Sequence, residues 1–214
     1  RWPRPMAPPR MLPADLPADP RAVTAHLAGL VRRGRPPSAV LDALWELRDA
    51  GFEANDVHHN VAVSACGNAG HWRTALDFFE GMAQDDLARG TITRNAAISA
   101  CEKGHRWRPA LAILGRMGED RVARSTVTFS AAASACEKGA RWRAALELLL
   151  AATRTSAEAN VITCNAAISA SEKKGIWQAA LLLLSAVALC AINCQQVTFN
   201  AAVSACEKAG RWLV

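Results

Sequence analysis

The chain has 214 residues, 51% of them hydrophobic, with a formal net charge of +6 and a pI near 9.2. That composition excludes a compositionally disordered chain and suffices for one or two ordinary domains. The basic balance is compatible with a polyanionic partner without establishing one. Seven cysteines without paired short spacings argue against a secreted disulfide framework and for a reducing compartment.

Residues 1–20 hold seven of the ten prolines and no apolar run resembling a signal-peptide core. Two readings stand: an unstructured proline-rich leader, or the tail of an arginine-rich transit peptide, which Asp15 and Asp19 disfavour. The chain opens on arginine, so the expectation is a natural start further upstream.

From residue 56 onward the sequence repeats itself. The phrases NVAVSACGNAGHW, NAAISACEKGHRW, SAAASACEKGARW, NAAISASEKKGIW and NAAVSACEKAGRW follow one another with a constant period. Trp72, Trp107, Trp142, Trp177 and Trp212 are each 35 residues apart, as are Asn60, Asn95, Ser130, Asn165 and Asn200. Projected backwards, the period finds a worn copy in which Leu41, Leu44 and Leu47 stand where Leu76, Phe79 and Met82 stand in the next. The units are then 21–55 (degenerate), 56–90, 91–125, 126–160 and 161–195, with a partial unit at 196–214.

Each unit reads as two helices. The first is expected to begin at a threonine (Thr93, Thr128, Thr163, Thr198) serving as N-cap, and to run through alanine-rich sequence. Gly104, Gly139, Gly175 and Gly210 are expected to end it in a left-handed turn. The second helix begins at the tryptophan, and Trp107, Ala110, Leu111, Leu114 and Met117 mark one apolar face at spacings of three and four. Neither helix can bury its stripe alone, so the units must stack. The fold class expected is all-α: a right-handed α-solenoid, or superhelix, of about five and a half helix-turn-helix repeats.

The apolar run Ala179–Ile192, AALLLLSAVALCAI, is shorter than the roughly 20 residues a membrane-spanning helix needs. It falls where the second helix of the fifth unit is due and reads as a buried helix, so no membrane association is expected. Leu182, Leu183 and Val187 replace charges on that helix and suggest an apolar outer face able to meet another protein. Cys66, Cys101, Cys136 and Cys206 share one register position, with Ser171 in the fifth copy, as a ladder of small buried residues. Cys164, Cys190 and Cys194 form the one local cluster, and no metal site is expected from spacings of this kind. His58 and His59 read as a solvated turn, the tryptophans as inter-helix core, and Arg106, Arg108, Arg141 and Arg143 as surface charge.

Phase, length and motif copies resemble the pentatricopeptide repeat family: units opening with V-T-F-S-A, I-T-C-N-A or V-T-F-N-A, with a glycine and a basic residue before the second helix. The resemblance covers Arg21 to Val214. It implies a binder of single-stranded RNA in which one base is read per repeat by two or three side chains, a rule that belongs to the family. On that pattern the second residue of each unit, Val57, Ile92, Val127, Ile162 and Val197, wedges between bases, with Ala22 departing from it in the degenerate unit. The fifth and last residues supply hydrogen bonds. These are Asn60, Asn95 with Ser125, Ser130 with Asn160, Asn165 with Gln195, and Asn200; the pairs in the third and fourth units resemble cytosine- and adenine-preferring types, a C-A core. Gly90, paired with Asn60, has no side chain to contribute.

Lys103, Lys138, Lys173 and Lys208 recur once per unit. A lysine row suits phosphates, whereas the glutamate before each suits a solvated surface in local charge balance; both readings stand. No catalytic constellation, phosphate-cradling glycine loop, cofactor motif or small-molecule site appears in the sequence, so neither an enzyme nor a cofactor is expected. The chain stops three residues into the second helix of its last unit, and a catalytic domain beyond that point is left open. The competing function is a protein-binding helical scaffold without RNA specificity. The family works mainly on organellar transcripts, which implies the mitochondrion or plastid.

Overall fold

The computed structural model describes residues 20–33, 35–49, 55–84, 89–154, 161–189 and 196–210. The proline-rich leader up to residue 19 lies outside them, as do Asn160, Cys190, Cys194 and Gln195. Among the described residues there are eleven α-helices and no strand. They are α1 (Pro20–Arg32), α2 (Pro37–Asp49), α3 (Asp56–Asn68), α4 (Trp72–Gln84), α5 (Thr91–Lys103), α6 (Trp107–Glu119), α7 (Thr126–Lys138), α8 (Trp142–Arg154), α9 (Val161–Glu172), α10 (Trp177–Leu189) and α11 (Gln196–Lys208). From α2 onward, corresponding helices start 35 residues apart. The fold is all-α, of helical hairpins in the α-solenoid class.

Two compact units are separated at the Gly104–His105 turn. In the first, α3 packs on α1, α2, α4 and α5, so the first helices of successive hairpins contact one another directly. In the second, α9 holds the same place among α7, α8, α10 and α11. No helix among the described residues is long and apolar enough to cross a membrane.

The core follows from side-chain size. The first helices offer alanines and one medium residue per turn, such as Ala97, Ile98, Ala100 and Cys101, all fully buried. Small residues let backbones approach: a Cβ at Gly67 would lie 2.9 Å from that of Ala100 on the next first helix. The second helices α4, α6 and α8 are amphipathic and bury Phe78, Phe79 and Met82 in α4, Ile113, Leu114 and Met117 in α6, and Leu148 and Leu149 in α8.

Helix starts differ from the sequence expectation. Thr93 and Thr128 are the third helical residues, not N-caps, because α5 and α7 begin two residues before them. The N-cap of α7 is Ser125, whose Oγ accepts from the Thr128 N–H while Thr128 Oγ1 accepts from the Ser125 N–H, a reciprocal capping box. Asn55 and His58 make the equivalent box on α3. His58 and His59 are therefore buried helix residues, not a solvated turn.

The helix ends depart as well. Gly104 and Gly139 have ordinary negative φ, and the left-handed residue is the next one, His105 (φ 57°) or Ala140 (φ 50°). In other copies that register holds Gly70, Gly175 and Gly210, all with positive φ.

Candidate nucleic-acid interface

Four of the first helices begin by exposing an aliphatic side chain. Val57 is 46% exposed, Ile92 73%, Val127 61% and Ile162 56%. All four stand at the second position, on α3, α5, α7 and α9. The hydrophobic effect opposes exposure of a β-branched residue, and burial of its neighbours shows that the fold does not require this one. The burial of Val197 is outside the described side chains.

Three residues later, on the same helical face, comes the fifth position. Asn60, Asn95 and Asn165 are half-buried there, Ser130 is buried and Asn200 is exposed. These side chains are tied to their surroundings to different extents. The Asn60 amide oxygen is buried without a hydrogen-bond partner. Ser130 Oγ donates to the Thr126 carbonyl at 2.8 Å and lies 3.4 Å from Thr163 Oγ1. Asn165 Oδ1 accepts from Thr198 Oγ1 at 2.5 Å. Of the last-position residues, Ser125 has its hydroxyl engaged in the α7 cap.

In the first compact unit, α3 and α5 enclose a shallow groove lined by Ser64, Asn68, Asn95, Ser99 and Lys103. It places a fifth-position asparagine and a ladder lysine on one surface. Three of the ladder lysines are nevertheless engaged with the preceding repeat. Lys103 Nζ donates to Asn68 Oδ1, Lys173 pairs with Glu137 at 3.0 Å and Lys208 with Glu172 at 2.8 Å. Burial alone would raise the Glu172 carboxyl. Hydrogen bonds from Lys208 and Ser204, with the charges of Lys208 and Lys173, outweigh that and hold it below the usual range.

Trp72, Trp107, Trp142 and Trp177 are half-buried rather than deep in the core, and the first two lie at junctions between repeats. Trp72 closes on Gly104 and Trp107 on Gly139. Arg73, Arg108 and Arg143 each lie 5.2 Å from the ring centre of the adjacent tryptophan, and Arg141 lies 4.4 Å from that of Trp107. Arg108, Arg141 and Arg143, expected as general surface charge, thus cover indole faces, as does Arg73. The expected apolar face of α10 is also smaller than its sequence suggests: Leu182 is 65% exposed but Leu183 belongs to the core.

The cysteine ladder is buried in three of its four copies, and Cys206 is half-buried. Cys66, Cys101 and Cys136 are fully buried, and burial pushes their thiols up to about 12, 12 and 11. Ser171 takes the same place and satisfies its hydroxyl on the Ala167 carbonyl. Among the described residues no group of three or more His, Cys, Asp or Glu side chains could hold a metal ion.

A family model for the PPR repeat matches residues 57–87, the hairpin of α3 and α4. The same sequence pattern and helix pair recur along the chain at intervals of 35. The hairpin at 57–87 thus matches the PPR repeat, and the units that follow share its length and register.

Solved structures with this fold include the pentatricopeptide repeat protein PPR10 from maize. It is 24% identical over 90% of this chain and 28% of its own, with a TM-score of 0.72. The same protein in complex with an 18-nt psaJ RNA element aligns over the same shares at 22% identity and a TM-score of 0.70. The PPR domain of Arabidopsis thaliana protein-only RNase P 1, in complex with tRNA, is 13% identical over 88% of this chain and 100% of its own, with a TM-score of 0.72. At these identities the likeness is one of fold. This chain spans 28% of the length of the maize chain. No curated protein matches it.

Proposed function

We propose that this pentatricopeptide repeat array is a sequence-selective binding module for single-stranded RNA. The observation that carries this reading is the aliphatic residue exposed at the second position of four successive repeats. An unstacked base offers an apolar face, and β-branched side chains at one register can separate successive bases. The fifth residue, one turn further on, then meets the base edge. On this reading Asn95 with Ser125, and Ser130 with Asn160, read a C-A core, and Asn60, Asn165 with Gln195, and Asn200 read its neighbours. Val197 completes the wedge series. Lys103, Lys138, Lys173 and Lys208 supply positive charge beside the phosphates. The fold shared with PPR10 and the PPR domain of the plant RNase P, both solved with RNA, supports this choice of ligand. The module acts by binding, on organellar transcripts, in their processing, stabilisation or translation.

Replacing Val127 and Ile162 together by alanine tests the wedge. Both side chains are exposed, so the melting temperature should hold while affinity for single-stranded RNA falls several-fold. Unchanged RNA affinity in the folded double variant would contradict the reading.

A further inference from the structure

An asparagine can discriminate between base edges only if its amide is held. The group has two donors on one side and an acceptor on the other, and a half-turn exchanges them. An amide free to flip accepts donor and acceptor edges alike. In the fifth repeat the amide is not free: the hydroxyl of Thr198, on α11, donates to Asn165 Oδ1, on α9. Thr198 is 1% exposed, so water does not compete for that hydroxyl.

The donor direction follows from the helix start. Thr198 is the third residue of α11, as Thr128 is of α7. At that place in α7 the threonine oxygen accepts the N-cap backbone N–H at 3.0 Å, which leaves the hydroxyl hydrogen to be donated elsewhere. The register recurs. Thr163 Oγ1 lies 3.4 Å from Ser130, again 33 residues earlier, and Ser130 spends its own hydrogen on the Thr126 carbonyl. Every third-position residue from His58 to Thr198 is buried, including Thr93, Thr128 and Thr163.

We infer that Thr198 is a specificity-determining positioning residue: its buried hydroxyl fixes the Asn165 amide with the oxygen inward, so that the fifth repeat offers a base only the NH2 donors. The inference rests on the base-reading role proposed for Asn165. More generally, the third residue of one repeat sets the edge that the fifth residue of the preceding repeat presents.

The test uses the 214-residue chain and four labelled single-stranded RNAs that differ only at the nucleotide following a central CA. Fluorescence anisotropy gives the ratio of best to worst affinity for the parent and for Asn165→Ala, Thr198→Val and Thr198→Ser, with melting temperatures measured alongside. Asn165→Ala should flatten the ratio. Thr198→Val, nearly the same shape without the hydroxyl, should reduce it by roughly fivefold, the scale of one hydrogen bond. Thr198→Ser, which keeps the hydroxyl, should restore it.

Full discrimination by Thr198→Val, beside loss in Asn165→Ala, overturns the positioning role alone. No effect of Asn165→Ala overturns the reading of Asn165 and the inference with it. Loss in Thr198→Val that serine does not rescue marks a packing effect and also overturns the inference. If the valine variant melts below the assay temperature, Thr198→Ser against Thr198→Ala decides in the same way.

Discussion

The indole of Trp107 closes on the backbone of Gly139, where a Cβ would stand 2.5 Å from its Cδ1. Trp72 and Gly104, 35 residues earlier, make the same approach at 2.3 Å. In each case the second helix of one repeat uses its first residue to pack on the end of the next first helix. Glycine is needed here for space, since φ at both positions is ordinary.

Gly139→Ala should therefore destabilise the protein by roughly 1–3 kcal/mol, the usual cost of overpacking a site that cannot yield easily. The urea midpoint of the whole chain is the measurement. An unchanged midpoint would show that Trp107 swings away freely.

The residue after that glycine carries the strain. Ala140 has φ 50° where three other repeats place glycine with positive φ. Ala140→Gly should raise stability by about 1 kcal/mol, because a Cβ in the left-handed region is disfavoured by an amount of that order. A lower melting temperature for this variant would contradict the assignment.

Much of this was legible in the sequence, and the exceptions have physical causes. The period, the helix pairs and most of the cysteine ladder follow from register, because successive copies bury nearly the same positions. The N-caps were missed because the capping position changes identity, Asn55, Gly90 and Ser125, while the threonine two residues inside the helix stays the same. A constant threonine near a helix start looks like a cap whether it accepts the first free N–H or returns the bond from the third position. His58 escaped for the same reason, since it takes the place of that threonine. Leu182 and Leu183 are adjacent in a helix without charges, inside the run Leu181–Leu184, where periodicity cannot say which one faces inward.

The buried thiols couple stability to alkaline pH. Cys66 and Cys101 have folded values of about 12 against an ordinary 9.0, so the unfolded chain releases its protons first. Their contribution is complete below pH 9.0 and is lost as pH rises from there towards 12. The melting temperature should therefore fall between pH 8.5 and pH 10.5 by more than in the Cys66→Ser/Cys101→Ser double variant, measured over the same range of about two units. Parallel curves would contradict the coupling.

Lys173 and Lys208 are held by acidic partners, and exposed pairs of this type stabilise by only about 0–1 kcal/mol. Glu137→Gln with Glu172→Gln should cost little stability. The change should free Lys173 and Lys208, raise affinity for single-stranded RNA at low salt, and steepen its salt dependence by about 0.7 per lysine engaged. If the slope of log affinity against log salt does not move, these lysines do not meet phosphates.

The central claim is sequence-selective recognition of single-stranded RNA, and the most direct measurement is binding of short labelled RNAs at two salt concentrations. Some carry a central CA and others carry it replaced. Binding should depend on the CA, weaken in salt, and fall when Asn95 and Ser130 are changed together. Salt-sensitive binding without base preference would contradict the reading of bases, and absence of binding at low salt by the folded protein would contradict RNA recognition altogether.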